Sequence, residues 1–456
     1  MSRKILPLIF ATGFALLFNA CGSDGGSVSG IECEEGDCFE ENSSSSEEDY
    51  SSSSVKTDDK SSGSQEESSS GGKNEESSSS AKESSSSEKE DASSSSAKEE
   101  SSSSELSSSS SGESSSSTVP VAYLSTTPNL ADLEVSGDTL FAIFQRQAAD
   151  YTIPVNGLLA LYNAQSGELL DTIALATKNP YTVKVANGNV YVATAGEYDA
   201  SNSLPADEKR GIEKVDLKSK TSKLFVSGTK LGGGAQDFVV TPNGKGYVSV
   251  YKSYGNTIVV EIDLATGKVK EIDGIKDASG SLDYDAASGL LYIGDRFMDY
   301  VTYDAMNINV FTYDGDTLKP LTDPESEGRQ PYSIKVVNGN PYVFVSDYYT
   351  GKLYLDYADE DADGISFFQD SKLAVANGKL YLMERGTTAT ISQIDLSTGT
   401  PVWQENAGDG ANPYDIVAAD DGNLWVAFYG IPEIRKISAS GKKVSSIDTQ
   451  AFCAHE

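Results

Sequence analysis

The sequence predicts an all-β protein, a seven-bladed β-propeller of four-stranded antiparallel blades, preceded by a disordered Ser/Glu-rich linker. Three observations predict it. A short polar residue followed by glycine recurs seven times, at Ser136-Gly137, Asn187-Gly188, Asn243-Gly244, Ser288-Gly289, Asn338-Gly339, Asn377-Gly378 and Asp421-Gly422, 39 to 56 residues apart. An aromatic residue follows the glycine three places on in six copies (Tyr191, Tyr247, Tyr292, Tyr342, Tyr381, Trp425) and four places on in the first (Phe141). Nearly all aromatic and β-branched residues lie beyond residue 118, so one long C-terminal region carries the core.

Each copy resolves into the same elements. An extended apolar stretch such as YTVKVA or YSIKVV precedes the glycine, and Asn-Gly between alternating apolar runs is the strongest short hairpin signal. A second hairpin follows, as in VVEIDLATGKVKEID, ISQIDLSTGTPVW, LLALYNAQSGELLDTI, IEKVDLKSKTSKLF and IRKISASGKKVSSI. Four short strands per unit, at a period in the forties, is propeller spacing. One such sheet cannot cover its own two apolar faces, whereas seven arranged radially cover each other. A β-sandwich with a second β domain leaves the seven copies of one phrase unexplained. A strand at Val121–Leu124 is expected to close the ring by joining the last blade, because closure removes exposed edges.

Strand phrases such as NVYVATAG and KGYVSVYK, with turns of the IDLATGK type, resemble the YVTN-type, or quinoprotein-like, seven-bladed propellers across residues 119–456. That group includes lactonases, cofactor-dependent dehydrogenases and pure binding proteins, so the resemblance implies a fold and leaves the activity open. The Trp-rich docking repeats of pyrroloquinoline-quinone enzymes are missing, since Trp403 and Trp425 are the only tryptophans, and WD and Kelch signatures are absent.

Residues 1–20 follow a signal-peptide plan: two basic residues, an apolar run of about a dozen, then small residues. Cys21, directly after Asn19-Ala20, resembles the lipobox cysteine of bacterial lipoproteins, with Phe18 where that pattern prefers Leu. The resemblance implies cleavage before Cys21, its acylation (a palmitate-type anchor), and, with Gly22 rather than Asp following, an outer-membrane location on the periplasmic or cell-surface side. Two or three acyl chains anchor stably where a single chain does not.

Residues 21–118 then form a tether of serine blocks alternating with Glu and Lys. From Ile31 to Ser117 they carry a net charge of −17. Such a segment buries too little apolar surface to offset chain entropy and is expected to be disordered. It spans roughly 55 Å as a coil and up to ~300 Å pulled straight. Similar serine-block tethers occur in surface lipoproteins of some fibre-degrading bacteria. Cys33 and Cys38 are spaced to close a small disulfide loop in an oxidising compartment, which leaves Cys453 over, two residues before the single histidine, His455.

The chain's net charge of −34 excludes nucleic acid as a partner, because phosphates need a basic face. The expected partners are the membrane, through the lipid anchor, and an envelope protein or extracellular glycan. The propeller itself is expected to be monomeric.

Propeller geometry turns the repeat into a map. The start of each innermost strand and the end of the second strand meet on one face. Strand one opens with Asn179-Pro180-Tyr181, Gln330-Pro331-Tyr332 and Asn412-Pro413-Tyr414, and more weakly with Ala235-Gln236-Asp237. Strand two ends with Gln145-Arg146, Glu197-Tyr198, Tyr251-Lys252, Asp295-Arg296, Asp347-Tyr348, Glu384-Arg385 and Phe428-Tyr429. The candidate ligand-binding face is therefore Arg146, Tyr181, Tyr198, Lys252, Arg296, Tyr332, Tyr348, Arg385, Tyr414 and Tyr429. Tyr and Arg dominate binding hot spots, although inter-blade packing of the tyrosines and mutual pairing of the charges would give the same pattern.

Glu197, Asp295, Asp347 and Glu384 are the candidate acids and bases of a carboxylate-dependent glycan hydrolase, lyase or lactonase. No histidine lies near the funnel, which removes Ser-His, Cys-His and His-metal chemistries. Asp359, Asp361 and Asp363 in DEDADG match the start of a calcium loop, with Asp370 at position twelve, so Ca2+ is the candidate ion, although Ser366 stands where an apolar residue is usual, no helices flank the stretch, and a plain acidic turn of the second hairpin is the alternative reading. The leading reading is a non-catalytic recognition module on a leash. A carboxylate enzyme and an envelope-assembly protein are the alternatives.

Overall fold

The computed structural model describes residues 128–452, apart from 149–151, 280, 300–303, 323–328 and 347–349. The signal segment, Cys21, the tether, Val121–Leu124, Cys33, Cys38 and Cys453 lie outside the described residues.

Twenty-eight strands form seven four-stranded antiparallel sheets, each built from four consecutive strands. Blade 1 spans 130–174, blade 2 180–227, blade 3 234–271, blade 4 282–320, blade 5 331–367, blade 6 371–408 and blade 7 413–448. The innermost strand of each blade packs against those of its two neighbours, and that of blade 1 packs against that of blade 7, so the ring is closed.

The recurring glycines sit at the hairpin between first and second strands. All seven adopt positive φ, from 55° at Gly137 to 83° at Gly244. In blades 2, 5 and 6 the two-residue loop is Asn-Gly with both residues left-handed, Asn187, Asn338 and Asn377 having φ of 51°, 52° and 51°. That is the turn whose twist matches the flanking strands. The turn after the third strand is organised by a side chain instead. Asn163, Asp216, Asp263, Asp285, Asp314 and Asp395 each accept backbone N–H groups from residues two and three places on; in blade 4 the Asp285 turn joins strands one and two.

There is no single core. The buried apolar residues fall into seven clusters, one at each junction between adjacent blades. The outermost strands, such as Lys443–Asp448, are largely exposed. The repeated aromatic latches neighbouring blades together. Tyr191 Oη donates to Leu264 O (3.3 Å), Tyr342 Oη to Leu396 O (3.5 Å) and Trp425 Nε1 to Ala164 O (2.8 Å), each acceptor lying in the Asx turn of the next blade.

Candidate functional site

A backbone irregularity builds the mouth of the wheel. In blades 2, 5 and 7 the innermost strand carries one extra residue against its partner: register steps from Pro180 to Thr182, from Pro331 to Ser333 and from Pro413 to Asp415. The skipped residues are Tyr181, Tyr332 and Tyr414. A bulge re-aims the side chain it carries, and here it directs three tyrosines to the rim. Blades 1 and 3 have comparable breaks at Ala131 and at Gln236-Asp237.

The tyrosines meet the ends of the second strands, as the map required. Tyr181 and Tyr198 hydroxyls are 3.3 Å apart, Gln236 Nε2 donates to Tyr198 Oη (3.4 Å), and Tyr198 and Tyr251 make an edge contact at 5.9 Å. Tyr414 lies 6.0 Å from Tyr429, whose hydroxyl donates to Oε1 of both Gln145 and Gln147 (3.3 Å each). Arg385 donates to Tyr332 Oη (2.9 Å) and pairs with Asp370, while its guanidinium lies 5.6 Å from the Tyr414 ring. Arg296 lies 5.3 Å over Tyr332 and donates to Gln330 Oε1 (3.3 Å). Burial pushes the Tyr181 and Tyr414 hydroxyls up to about 12, so both remain neutral hydrogen-bonding groups at ordinary pH.

One step further along each innermost strand, next to the mouth, lies a ring of polar residues: Asp132, Thr182, Asp237, Ser281, Ser333, Lys372 and Asp415. Most reach forward to the next blade's backbone. Asp132 accepts from Val183 N (2.8 Å), Asp237 from Leu282 N (2.7 Å), Ser333 from Leu373 N (3.1 Å) and Asp415 from Leu133 N (3.2 Å), and Thr182 donates to Gln236 O (2.9 Å). In blade 4 the role passes to Asp283, which accepts from Val336 N (2.7 Å). Lys184 bridges Asp132 (3.5 Å) and Glu134 (3.2 Å), and Lys335 faces Asp283 (3.5 Å). Burial and the nearby Asp415 hold the Asp132 carboxyl above its ordinary range despite Lys184. Burial does the same to Asp283.

No family model matches this chain, and no curated protein matches it. Among solved structures it is similar to "the computationally designed Ika8 protein: crystal packing No.1 in P63", at 13% identity over 71% of this chain and 87% of that chain, with a TM-score of 0.45. The fold is read from strand order.

Of the residues expected at the mouth, Tyr181, Tyr198, Arg296, Tyr332, Arg385, Tyr414 and Tyr429 are brought together. Asp347 and Tyr348 lie outside the described residues. Arg146 sits between Gln145 and Gln147 with a left-handed φ of 56°. Lys252 does not join the group: its Nζ turns toward Glu271 Oε2 (4.0 Å) on the outer strand, and Tyr251 takes the inner position. Sequence reasoning named Gln145 and Asp370 without placing them at the mouth, and missed Gln147 and Lys372. For Lys372 the signal available was a polar residue at the same step of every innermost strand.

The three described candidate acids do not pair with one another. Asp295 is wholly buried and accepts the backbone N–H groups of Lys276, Asp277 and Phe297, so it holds a loop. Glu197 is exposed and pairs with Lys178. Glu384 accepts from Phe368 N, Thr390 Oγ1 and Gln404 Nε2, running outward along its blade.

The acidic stretch at 359–364 is built as a turn around an arginine. The carbonyls of Asp359, Glu360 and Ala362 converge on the guanidinium of Arg329, which lies 4.3 Å over the Tyr354 ring. Asp359 caps its own turn through Asp361 N (3.1 Å), and Asp370 is committed to Arg385. Among the described residues no three acids, Asp359, Asp361 and Asp363 included, come together as metal ligands.

Proposed function

We propose that this protein is a non-catalytic recognition module of the cell envelope, carried on a lipid-anchored tether, whose tyrosine mouth binds an extracellular glycan. The observation that carries this reading is the display of Tyr181, Tyr332 and Tyr414 on strand bulges, ringed by amide side chains and further tyrosines. A ring with an apolar face and a polar tip suits a ligand that is apolar on one side and hydroxylated at its edge, and convergent amides fix its orientation. The separate fates of Asp295, Glu197 and Glu384 weigh against a carboxylate enzyme, which needs two acids facing one bond.

The test is a glycan array with the purified chain, followed by titration of any ligand found. Tyr181→Ala and Tyr414→Ala are each expected to weaken binding at least tenfold, about 1.4 kcal/mol. Silence on the array, together with recovery of one stoichiometric protein from envelope extract, would replace this reading with an assembly role.

A further inference from the structure

Lys372 departs from a rule that the other blades keep. At its step of the innermost strand the remaining six carry Asp, Thr or Ser, and six of the seven blade junctions are bridged by a side chain-to-backbone hydrogen bond from this ring or, in blade 4, from the adjacent Asp283. Lysine cannot accept from a backbone N–H, and among the described residues no side chain of this ring bridges blades 6 and 7, which are joined elsewhere, by Gly386 N to Asn412 Oδ1 (3.2 Å), Arg435 to Ala407 O (3.2 Å) and Trp403 to Ala439 O (3.1 Å). A local rule broken without structural gain marks a functional position.

What surrounds Lys372 says what that position is for. Its Nζ lies 3.5 Å from the centroid of the Tyr414 ring and has no hydrogen bond or ion pair among the described residues. Arg385 approaches the same ring, and Arg296 covers Tyr332 next to it. Three cations thus crowd two rim tyrosines; among the described residues Asp370 is the one carboxylate in an ion pair with any of them, and Asp277 is the acid that Arg296 acts on from further off. Burial, then the neighbouring Arg385, push the Lys372 ammonium below its ordinary pKa, while Tyr332, Asp237 in blade 3 and Asp415 in the adjacent blade 7 act on it more weakly in the other direction. The Nε atoms of Arg296 and Arg385 are buried without an acceptor, and buried donors left unpaired are costly. A positive cluster of this kind, inside a chain of net charge −34, attracts a local anion against the field of the whole molecule.

We propose that Lys372, Arg385 and Arg296 form a carboxylate-binding subsite at the tyrosine mouth, so that the glycan recognised is an acidic one bearing uronate groups. Tyr332 and Tyr414 position the three cations, which donate to its carboxylate, beside the tyrosine mouth that holds its sugar rings. This rests on the recognition reading above and narrows its ligand.

The experiment is calorimetric titration of the full chain with oligomers of galacturonate, glucuronate and mannuronate, each against a neutral hexose oligomer of equal length, and with hexaglutamate. One uronate oligomer is expected to bind at least tenfold more tightly than its neutral counterpart. Lys372→Ser, which restores the hydroxyl found at Ser333, and Arg296→Gln should each remove most of that preference, weakening the uronate oligomer far more than the neutral one, with an undiminished melting temperature for the serine variant as the check on folding. Equal binding of charged and neutral oligomers, or indifference to Lys372→Ser, overturns the subsite while glycan recognition stands. Tighter binding of hexaglutamate than of every uronate overturns the glycan assignment in favour of an acidic peptide. No binding of any oligomer overturns both.

Discussion

Trp425 Nε1 donates a 2.8 Å hydrogen bond to the carbonyl of Ala164, joining the last blade to the first across 261 residues of chain. Lys436 Nζ reaches the adjacent Gln165 carbonyl at 2.7 Å, and Phe452 packs on Phe144 at 5.0 Å. The ring is therefore held at its seam by the same aromatic-to-turn contact that joins blades 2 to 3 and 5 to 6.

Trp425→Phe removes a fully buried donor's bond and part of a buried ring. It should cost about 2–4 kcal/mol in chemical denaturation. Tyr191→Phe and Tyr342→Phe, which lose only longer bonds of 3.3 and 3.5 Å, should cost about 1 kcal/mol or less. Equal costs at all three positions would show that the seam is an ordinary junction.

Asp132→Ala leaves Val183 N without its acceptor and Lys184 with Glu134 alone. A loss of about 1–3 kcal/mol is expected. Asp132→Asn keeps an acceptor at the same place and should be much milder, a contrast that equilibrium unfolding of the pair would reveal.

Arg329→Ala empties a cradle of three carbonyls and uncovers Tyr354. It should lower stability by about 1–3 kcal/mol. The parent chain's melting temperature should be unmoved by chelator or by added Ca2+. A rise with Ca2+ would mean that the loop opens to admit an ion.

Acid titrations run in two directions. Burial opposes ionisation of Glu433, but Arg435 (3.0 Å) and Lys443 (2.6 Å) outweigh it and hold the carboxyl down at about 2. Because its folded pKa lies below the unfolded one, its stabilisation is complete above about 4.5 and lost as pH falls toward 2. Glu433→Gln should flatten that limb, by no more than about 1 kcal/mol once solvent screening is counted. Asp132, raised in the fold, behaves oppositely: its contribution is present below the unfolded pKa and fades as pH rises through the folded one. Denaturation midpoints from pH 2 to 7 for both variants check the two signs.

Blade number, hairpin positions and the shared face were legible because each is written locally, in a glycine, an aromatic at fixed spacing and a Pro-Tyr phrase. The departures have physical reasons. Lys252 and Tyr251 are adjacent in a strand end, and spacing alone could not say which one turns inward. Asp295 resembles its counterparts in sequence but meets three loop amides that approach from residues 276, 277 and 297. The DEDADG stretch matches a calcium loop in its own letters, and the residue whose guanidinium its carbonyls meet, Arg329, stands 30 positions upstream of Asp359. The forward-reaching ring was visible as seven polar residues, yet the backbone N–H groups most of them accept from lie some 50 residues on, at a distance no local pattern reports.

Each sheet is assembled from four strands in unbroken succession, with none lent to a neighbour. A chain cut in a spoke between two blades, with its old ends joined, would therefore still contain seven whole units. Circular permutants opened near residue 178 or 410 should fold to the same wheel, and the gain or loss of one spoke during descent would need no strand to change hands.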